Sequence, residues 1–331
     1  MMPKAPILLT DEIPAPPALV RLGIDTLPAT IGARNERTRL RFIQFFTADI
    51  RNRNTRRAYA RAVRQFFDWT EGRRLELEDI DALAVAAYIE KIGGEMAKPS
   101  VKQQLAAIRQ MFDYLVTGGI LSINPAASVR GPKYVVRRGK TPVLSADQAR
   151  QLLDTIDPSE LIGLRDQALI GLMVFSFARV GAANTLRVGD YFENEKRWWL
   201  RLHEKGGKRH EVPCHHSLRK YLDAWIEATG IGRDKKSWLF RSIRKGNNLT
   251  TNQMDTNDVL RMIKRRAKAA SLPYSTCCHT FRATGITTYL KNGGTLEHAQ
   301  QIAAHESPRT TKLYDRTSDQ ISVDEIERIE I

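Results

Sequence analysis

Six residues in the second half of the chain could do chemistry together: Arg179, Lys205, His279, Arg282, His305 and Tyr314, in that order. They supply a phenol nucleophile, positive charge to hold a developing anion, and imidazoles to move protons. Such a set suits attack on a phosphodiester with no metal ion. Within HTFR, His279 and Arg282 stand three apart and share a face if the segment is helical, so both could touch one phosphate. Each piece has a plainer reading: an HxxR surface pair, a core tyrosine, or His298 and His305 on one helix face for packing. The conjunction, rather than any single residue, points to chemistry.

Elements must position these residues, and the chain is long enough to build them. Its 331 residues suggest two domains of ordinary size, each with its own core. Lys and Arg number 52 against 37 Asp and Glu, a formal charge of +15, which fits a phosphate-backbone binder. Three cysteines, two of them adjacent (Cys277, Cys278), make no disulfide framework and point to a reducing compartment. Met1 to Pro17 is interrupted by prolines and acids and does not read as a secretory signal. The strongly apolar run Ala168 to Ala178 is too short to span a bilayer. The expectation is a soluble, cytoplasmic, nucleoid-associated protein that binds no membrane.

Residues 1–33 lack clear periodicity and read as an arm or loosely docked extension. From Thr55 to Trp69, Tyr59, Val63, Phe66 and Phe67 recur at helical spacing, while Arg56, Arg57, Arg61 and Arg64 fall on other positions. Further helices are expected from Ile80 to Ile92, ending at Gly93-Gly94, and from about Pro99 to Gly118-Gly119. Residues 34–130 therefore read as a helical, DNA-binding bundle, followed by a basic linker at 131–143. Residues 34–140 hold 21 Lys or Arg against 11 Asp or Glu, so Arg56, Arg57, Arg61, Arg64, Lys102, Arg137 and Arg138 are the candidate DNA contacts.

A second domain at 144–316 opens on a capping box, Ser145 with Gln148, before a helix. A long apolar helix is expected from Leu161 to Phe177. The period then changes around Trp198 to Leu202, EKGGKRH and Glu211-Val212-Pro213, which reads as a hairpin turning at Gly206-Gly207. Helices resume near Ser217 and from Met254 to Ala269. Ser307 as N-cap and Pro308 at the first turn start a helix expected to carry Tyr314. The expected fold is mainly α with one small antiparallel β-sheet.

With these pieces in place the chain resembles the tyrosine recombinase (phage integrase) family over about residues 40–316. The resemblance rests on FARVGAANTLRVGDY around Arg179, EKGGKRHEVP around Lys205, HTFRATGITTYLKNGG around His279 and Arg282, and IAAHESPRTTKLYDR, where His305 precedes Tyr314 by nine positions. It implies an N-terminal helical, SAM-like core-binding domain and an α+β catalytic domain. It also implies that Tyr314 attacks the scissile phosphate to leave a 3′-phosphotyrosyl link and a free 5′-hydroxyl. Arg179 and Arg282 would clamp the non-bridging oxygens, and Lys205 would protonate the leaving oxygen. His279 would assist proton transfer and His305 would bond the phosphate, although the sequence does not say which histidine does which.

Two positions depart from the family pattern. An acid usually stands three after the first arginine, where this chain has Ala182, and the second histidine of H-x-L-R-H is replaced by Ala283. The first departure removes a support for neighbouring catalytic groups.

Cys214, His215 and His216, and Cys277, Cys278 and His279, are two clusters of zinc-ligand types, but neither has C-x-x-C or H-x-x-x-H spacing. No metal and no cofactor is expected. Residues 315–331 carry six acidic and two basic side chains, with Val323, Ile326 and Ile329 on a short helix capped by Ser322 and Glu325. The resemblance implies that this tail, 317–331, docks on a neighbouring subunit. The expected function is site-specific recombination by a tetramer on paired duplex sites, with room for accessory DNA-bending proteins. The alternatives are relaxation of the type IB topoisomerase kind and a non-catalytic DNA-binding regulator, for which Ala182 is the one hint.

Overall fold

A computed structural model of the chain describes residues 14–136, 139–204 and 207–315. The chain divides into two compact units, Met1–Val135 and Val136–Ile331.

The α-helices of the first unit's described part are α1 (Pro17–Val20), α2 (Ala29–Gly32), α3 (Glu36–Gln44), α4 (Arg53–Glu71), α5 (Ala82–Glu95) and α6 (Lys98–Thr117). Asn52 starts α4 by accepting the backbone N–H groups of Asn54 and Thr55 at 3.0 and 3.1 Å. Its apolar stripe, Ala60, Val63, Phe66 and Phe67, is fully buried. Phe66 meets Phe112 of α6 edge-on, and Phe67 meets Phe42 of α3 in the same way. Helix α5 does not stop at Gly93-Gly94 as expected. It runs through both glycines to Glu95, a glycine in a helix costing only about 1 kcal/mol, with Lys91 paired to Glu95 at 2.8 Å across them.

The expectation of a loosely docked extension over 1–33 is corrected for its described part. Residues 14–33 pack into the first unit, with Leu19, Ile24 and Ile31 buried and the Ala15 N–H bonded to the Asp25 carbonyl at 2.9 Å. No single period was visible because the segment consists of two four-residue helical turns and an isolated bridge between Pro14 and Thr26.

The second unit contains α7 (Ala146–Asp154), α8 (Leu161–Phe175), α9 (Val180–Asn184), β1 (Tyr191–Asn194), β2 (Arg197–His203), β3 (Arg209–Pro213) and α10 (His216–Thr229). It continues with β4 (Arg241–Arg244), β5 (Asn248–Gln253), α11 (Thr256–Ala269), α12 (Cys278–Lys291), α13 (Leu296–Ile302) and α14 (Pro308–Lys312). The capping box at Ser145 and Gln148 forms in both directions. Helix α8 is apolar on most of its circumference and lies in the core between α10 and α12. Gly285 lets α12 approach it, since a Cβ there would overlap the Val174 carbonyl oxygen and the Phe177 ring. Asp166, fully buried on α8, receives Arg165 of the same helix and Arg265 and Arg266 of α11, tying the two helices together.

The strands form a three-stranded antiparallel sheet, β1-β2-β3, and a separate hairpin, β4-β5. The expectation of one sheet therefore missed the second, whose strands are short and polar. Its loop is three residues, Lys245 to Asn247, of which Gly246 and Asn247 take positive φ (81° and 62°). No helix among the described residues is long and apolar enough to cross a membrane.

Candidate active site

Helix α12 begins at an exposed end and runs into the core, so His279 in its first turn faces outward while Arg282, one turn on, is 1% exposed. The Arg282 guanidinium is fixed by two carbonyls: Nη1 donates to Phe177 and Nη2 to Ala303, the latter at 2.6 Å. Left-handed backbone at Phe177 (φ 52°) and Ala304 (φ 46°) accompanies these contacts. Such conformations are unfavourable for residues other than glycine, by about 1–2 kcal/mol each, and persist where the surroundings enforce them. The Arg282 Nε has no partner among the described residues.

Arg282 Nη2 also lies 2.7 Å from His305 Nε2. Because guanidinium only donates, Nε2 is the acceptor, and the ring proton sits on Nδ1, which donates to Thr311 Oγ1 at 2.9 Å. Burial, then Arg282 and Arg179, push the His305 pKa down to about 3, in keeping with a neutral ring. Arg282 itself is lowered to about 10 by burial and by Arg179, which leaves it charged at neutral pH. In this arrangement His305 braces Arg282 and presents no N–H to a phosphate. His298 is exposed on α13, whereas His305 follows the turn at Ala304, so the two do not share a helix face.

Tyr314 lies two residues past the end of α14 rather than on that helix. Ser307 does cap α14, and Pro308 occupies its first turn. Thr287 of α12 donates to the Tyr314 carbonyl at 2.9 Å, and the phenol ring packs with Phe177, Ala283 and Ile286. Its hydroxyl is 2.7 Å from His279 Nε2, and its ring lies nearly parallel to His305 with centroids 5.7 Å apart. Burial raises the Tyr314 pKa, against the pull of Arg282 and Arg179. Desolvation, then Arg282 and Arg179, lowers that of His279. A neutral His279 beside a neutral phenol can accept its proton.

Arg179 is the N-cap of α9, with its side chain partly exposed and paired with Glu204 at the end of β2. Of the six expected site residues, His279, Arg282, His305 and Tyr314 are joined by direct contacts, and Arg179 is near enough to act electrostatically on Arg282, His279, His305 and Tyr314. Lys205 lies outside the described residues, as do Arg137, Arg138 and the tail helix proposed at 317–331. Sequence reasoning missed Glu204, Thr287 and Thr311. Glu204 stands next to Lys205 in the sequence, but nothing local announced which way it pointed.

In the first cysteine-histidine cluster, His215 has a structural explanation. His215 Nδ1 accepts the Ser217 N–H to cap α10, and its ring stacks on Phe175 with centroids 4.3 Å apart. Burial pushes the Cys214 thiol up to about 12 and Cys278 up to about 11. Among the described residues no group of three or more His, Cys, Asp or Glu is arranged to hold a metal.

In the first unit, Arg57, Arg61 and Lys102 are exposed. Arg56 instead donates from Nε and Nη2 to the Ile50 carbonyl at 2.9 and 2.7 Å, and Arg64 donates to Gly23 at 2.7 Å. Lys102 lines an open groove of about 870 Å³ with Arg109, Arg130 and Lys133.

Comparison with known proteins adds a lineage to this geometry. The sequence model of the phage integrase family matches residues 142–320, and that of the phage integrase N-terminal SAM-like domain matches residues 42–119. Tyrosine recombinase XerC of Pelobacter propionicus is 29% identical over 269 residues, spanning 80% of this chain and 85% of the relative. Among solved structures, a lambda integrase dimer bound to a COC′ core site superposes with a TM-score of 0.65 at 20% identity, over 87% of this chain and 79% of that one. A lambda integrase tetramer bound to a Holliday junction gives a TM-score of 0.65 at 20% identity, over 86% and 78%.

Proposed function

This chain belongs to the phage integrase family, and from that premise and the site geometry we propose that it is a site-specific DNA recombinase working through a phosphotyrosine. The observation that carries the reading is the 2.7 Å contact between the Tyr314 hydroxyl and a neutral His279, with buried Arg282 in the same pocket.

The Tyr314 oxygen forms a bond to the scissile phosphorus as its proton passes to His279 Nε2, and the bond from phosphorus to the 5′-oxygen breaks. Negative charge that grows on the non-bridging oxygens is held by Arg179 and Arg282, which never need to deprotonate. Lys205 gives its proton to the departing 5′-oxygen. Rejoining runs the same steps in reverse with a 5′-hydroxyl from either strand, so the bond energy is kept in the phosphotyrosine and ATP is not required. The orienting contacts to Arg282 from Phe177, Ala303 and His305 support the reading, because a clamp held before the phosphate arrives loses little freedom on binding it.

Duplex DNA is the partner, gripped in part by Arg57, Arg61 and Lys102 of the first unit and by Arg137 and Arg138. A tetramer on two sites in the cytoplasm, at the nucleoid, with the tail at 317–331 docking in trans and accessory DNA-bending proteins where the site demands them, completes the proposal.

The test is a nicked duplex suicide substrate drawn from DNA flanking the chain's own gene. A covalent complex on a denaturing gel that disappears in Tyr314→Phe is the expected result. Binding with no adduct from any flanking duplex favours the regulator, and an adduct that persists in Tyr314→Phe ends the assignment.

A further inference from the structure

We propose that Glu204 is the positioning residue for Arg179, supplying from the β2–β3 hairpin the carboxylate that Ala182 does not provide. The inference rests on the recombinase reading and names one more participant in that site.

Arg179 needs a support. It sits at the N-cap of a helix of five residues, it makes no side-chain capping bond, and its long side chain is 38% exposed. Position 182 is the third residue of that helix, from which an acid reaches back to the backbone N–H of the N-cap residue, as in a capping box. An alanine methyl has no such reach. The buried Ala182 therefore leaves both the Arg179 backbone and its guanidinium without a carboxylate from α9.

Glu204 fills that gap from another element. Its side chain is 4% exposed and pairs with Arg179 Nη1. Its own backbone is held by two bonds, from the Glu204 N–H to the Lys208 carbonyl at 2.8 Å and from the Gly207 N–H to the Glu204 carbonyl at 3.2 Å. The carboxylate is thus presented from a closed turn. It also offsets part of the repulsion between two guanidiniums in one pocket, a repulsion visible in the lowering of Arg282 by Arg179.

A carboxylate on an arginine could instead compete with the phosphate. Burial separates the two roles. Glu204 is almost wholly covered while Arg179 keeps an open edge, so the carboxylate lies on the inner side and the outer side stays available to an anion. Glu204 directly follows β2, so the ion pair also ties Arg179 to the end of that strand.

The test uses the full chain and single-turnover adduct formation on the suicide duplex, with duplex affinity measured in parallel. Glu204→Gln, which keeps shape but loses charge, is expected to slow adduct formation by about 10- to 100-fold with affinity nearly unchanged, the scale typical of losing a supporting partner behind a reactive group. Glu204→Asp should lie between Gln and the wild type, and Ala182→Glu in the Glu204→Gln background should recover part of the rate. In a double-mutant cycle, Glu204→Gln should add little to the loss caused by Arg179→Lys, since it acts through that side chain. Each variant's folding is read from its thermal transition, and the Asp and Ala182→Glu arms serve if Gln unfolds the hairpin. A Glu204→Gln rate equal to or above wild type, or losses that simply add in the cycle, overturns the inference and leaves the recombinase reading standing. A wild-type protein that forms no adduct with any flanking duplex overturns the recombinase reading and this inference with it.

Discussion

The Tyr314 hydroxyl and the His279 Nε2 stand 2.7 Å apart although 35 residues separate them, one in the turn after α14 and the other in the first turn of α12. The turn after α14 is held by Thr287, also from α12, which bonds the Tyr314 carbonyl. One helix thus carries the imidazole beside the phenol, the buried guanidinium and a support for the backbone of Tyr314. A rigid element that carries all three limits their relative motion, which is what in-line attack demands.

From this contact follows a pH-dependent prediction. Folding lowers the His279 pKa below its ordinary 6.5, so wild-type adduct formation should hold at neutral pH and fall only as acid protonates His279 below 6.5. His279→Gln should lose roughly 10²- to 10⁴-fold at pH 7, the usual contribution of a positioned base. Because burial raises Tyr314 above its ordinary 10.0, the variant should regain rate only above about that pH, where the phenol ionises unaided. A variant with the wild-type pH profile would remove His279 from the role of base.

Gly285 makes a second, purely structural prediction. A Cβ at this position overlaps the Val174 carbonyl and the Phe177 ring, so Gly285→Ala must push α12 away from α8. The expected loss is about 1–3 kcal/mol in a denaturant titration of the catalytic unit, typical of overpacking. Adduct formation should fall as well, because Phe177 supplies the carbonyl that orients Arg282. An unchanged denaturation midpoint would show that the contact relaxes freely.

What was legible in the sequence was local. The stripe Tyr59, Val63, Phe66 and Phe67, the capping box of Ser145 with Gln148, and the Ser307-Pro308 start of α14 each depend on residues within one or two turns, and each forms. What was not legible depends on distant partners. Leu19 and Ile31 look like scattered apolar residues until the first unit covers them, and Glu204 looks like a solvated hairpin acid until α9, 25 residues earlier, brings Arg179 to it. The Arg282–His305 bond spans 23 residues, and no local pattern announced that His305 would meet the arginine side chain.

That bond also carries a stability prediction. His305 has a folded pKa of about 3 against an ordinary 6.5, so below 6.5 the unfolded chain binds a proton that the folded chain refuses. Its contribution is complete above pH 6.5 and is lost progressively as pH falls toward 3. The thermal midpoint of the second unit should decline over that window in the wild type, and less steeply in His305→Gln. Parallel declines in the two proteins would mean that other groups set the acid sensitivity.

The arginines of α4 separate into two kinds, and one experiment distinguishes them. Arg56 spends two donors on the Ile50 carbonyl, whereas Arg57 and Arg61 are exposed and make no hydrogen bond or ion pair among the described residues. Charge-assisted bonds of the first kind contribute about 1.5–3 kcal/mol, so Arg56→Ala should lower the stability of the first unit by an amount of that order. Arg57→Ala combined with Arg61→Ala should leave stability nearly unchanged and weaken duplex binding. Each phosphate contact removed should reduce the slope of log affinity against log salt by about 1, hence by about 2 for the pair. Denaturant midpoints and salt titrations of binding read the two effects apart. If Arg56→Ala alone flattened the salt dependence while the double variant kept it, the phosphate contacts would lie on Arg56 and not on its exposed neighbours.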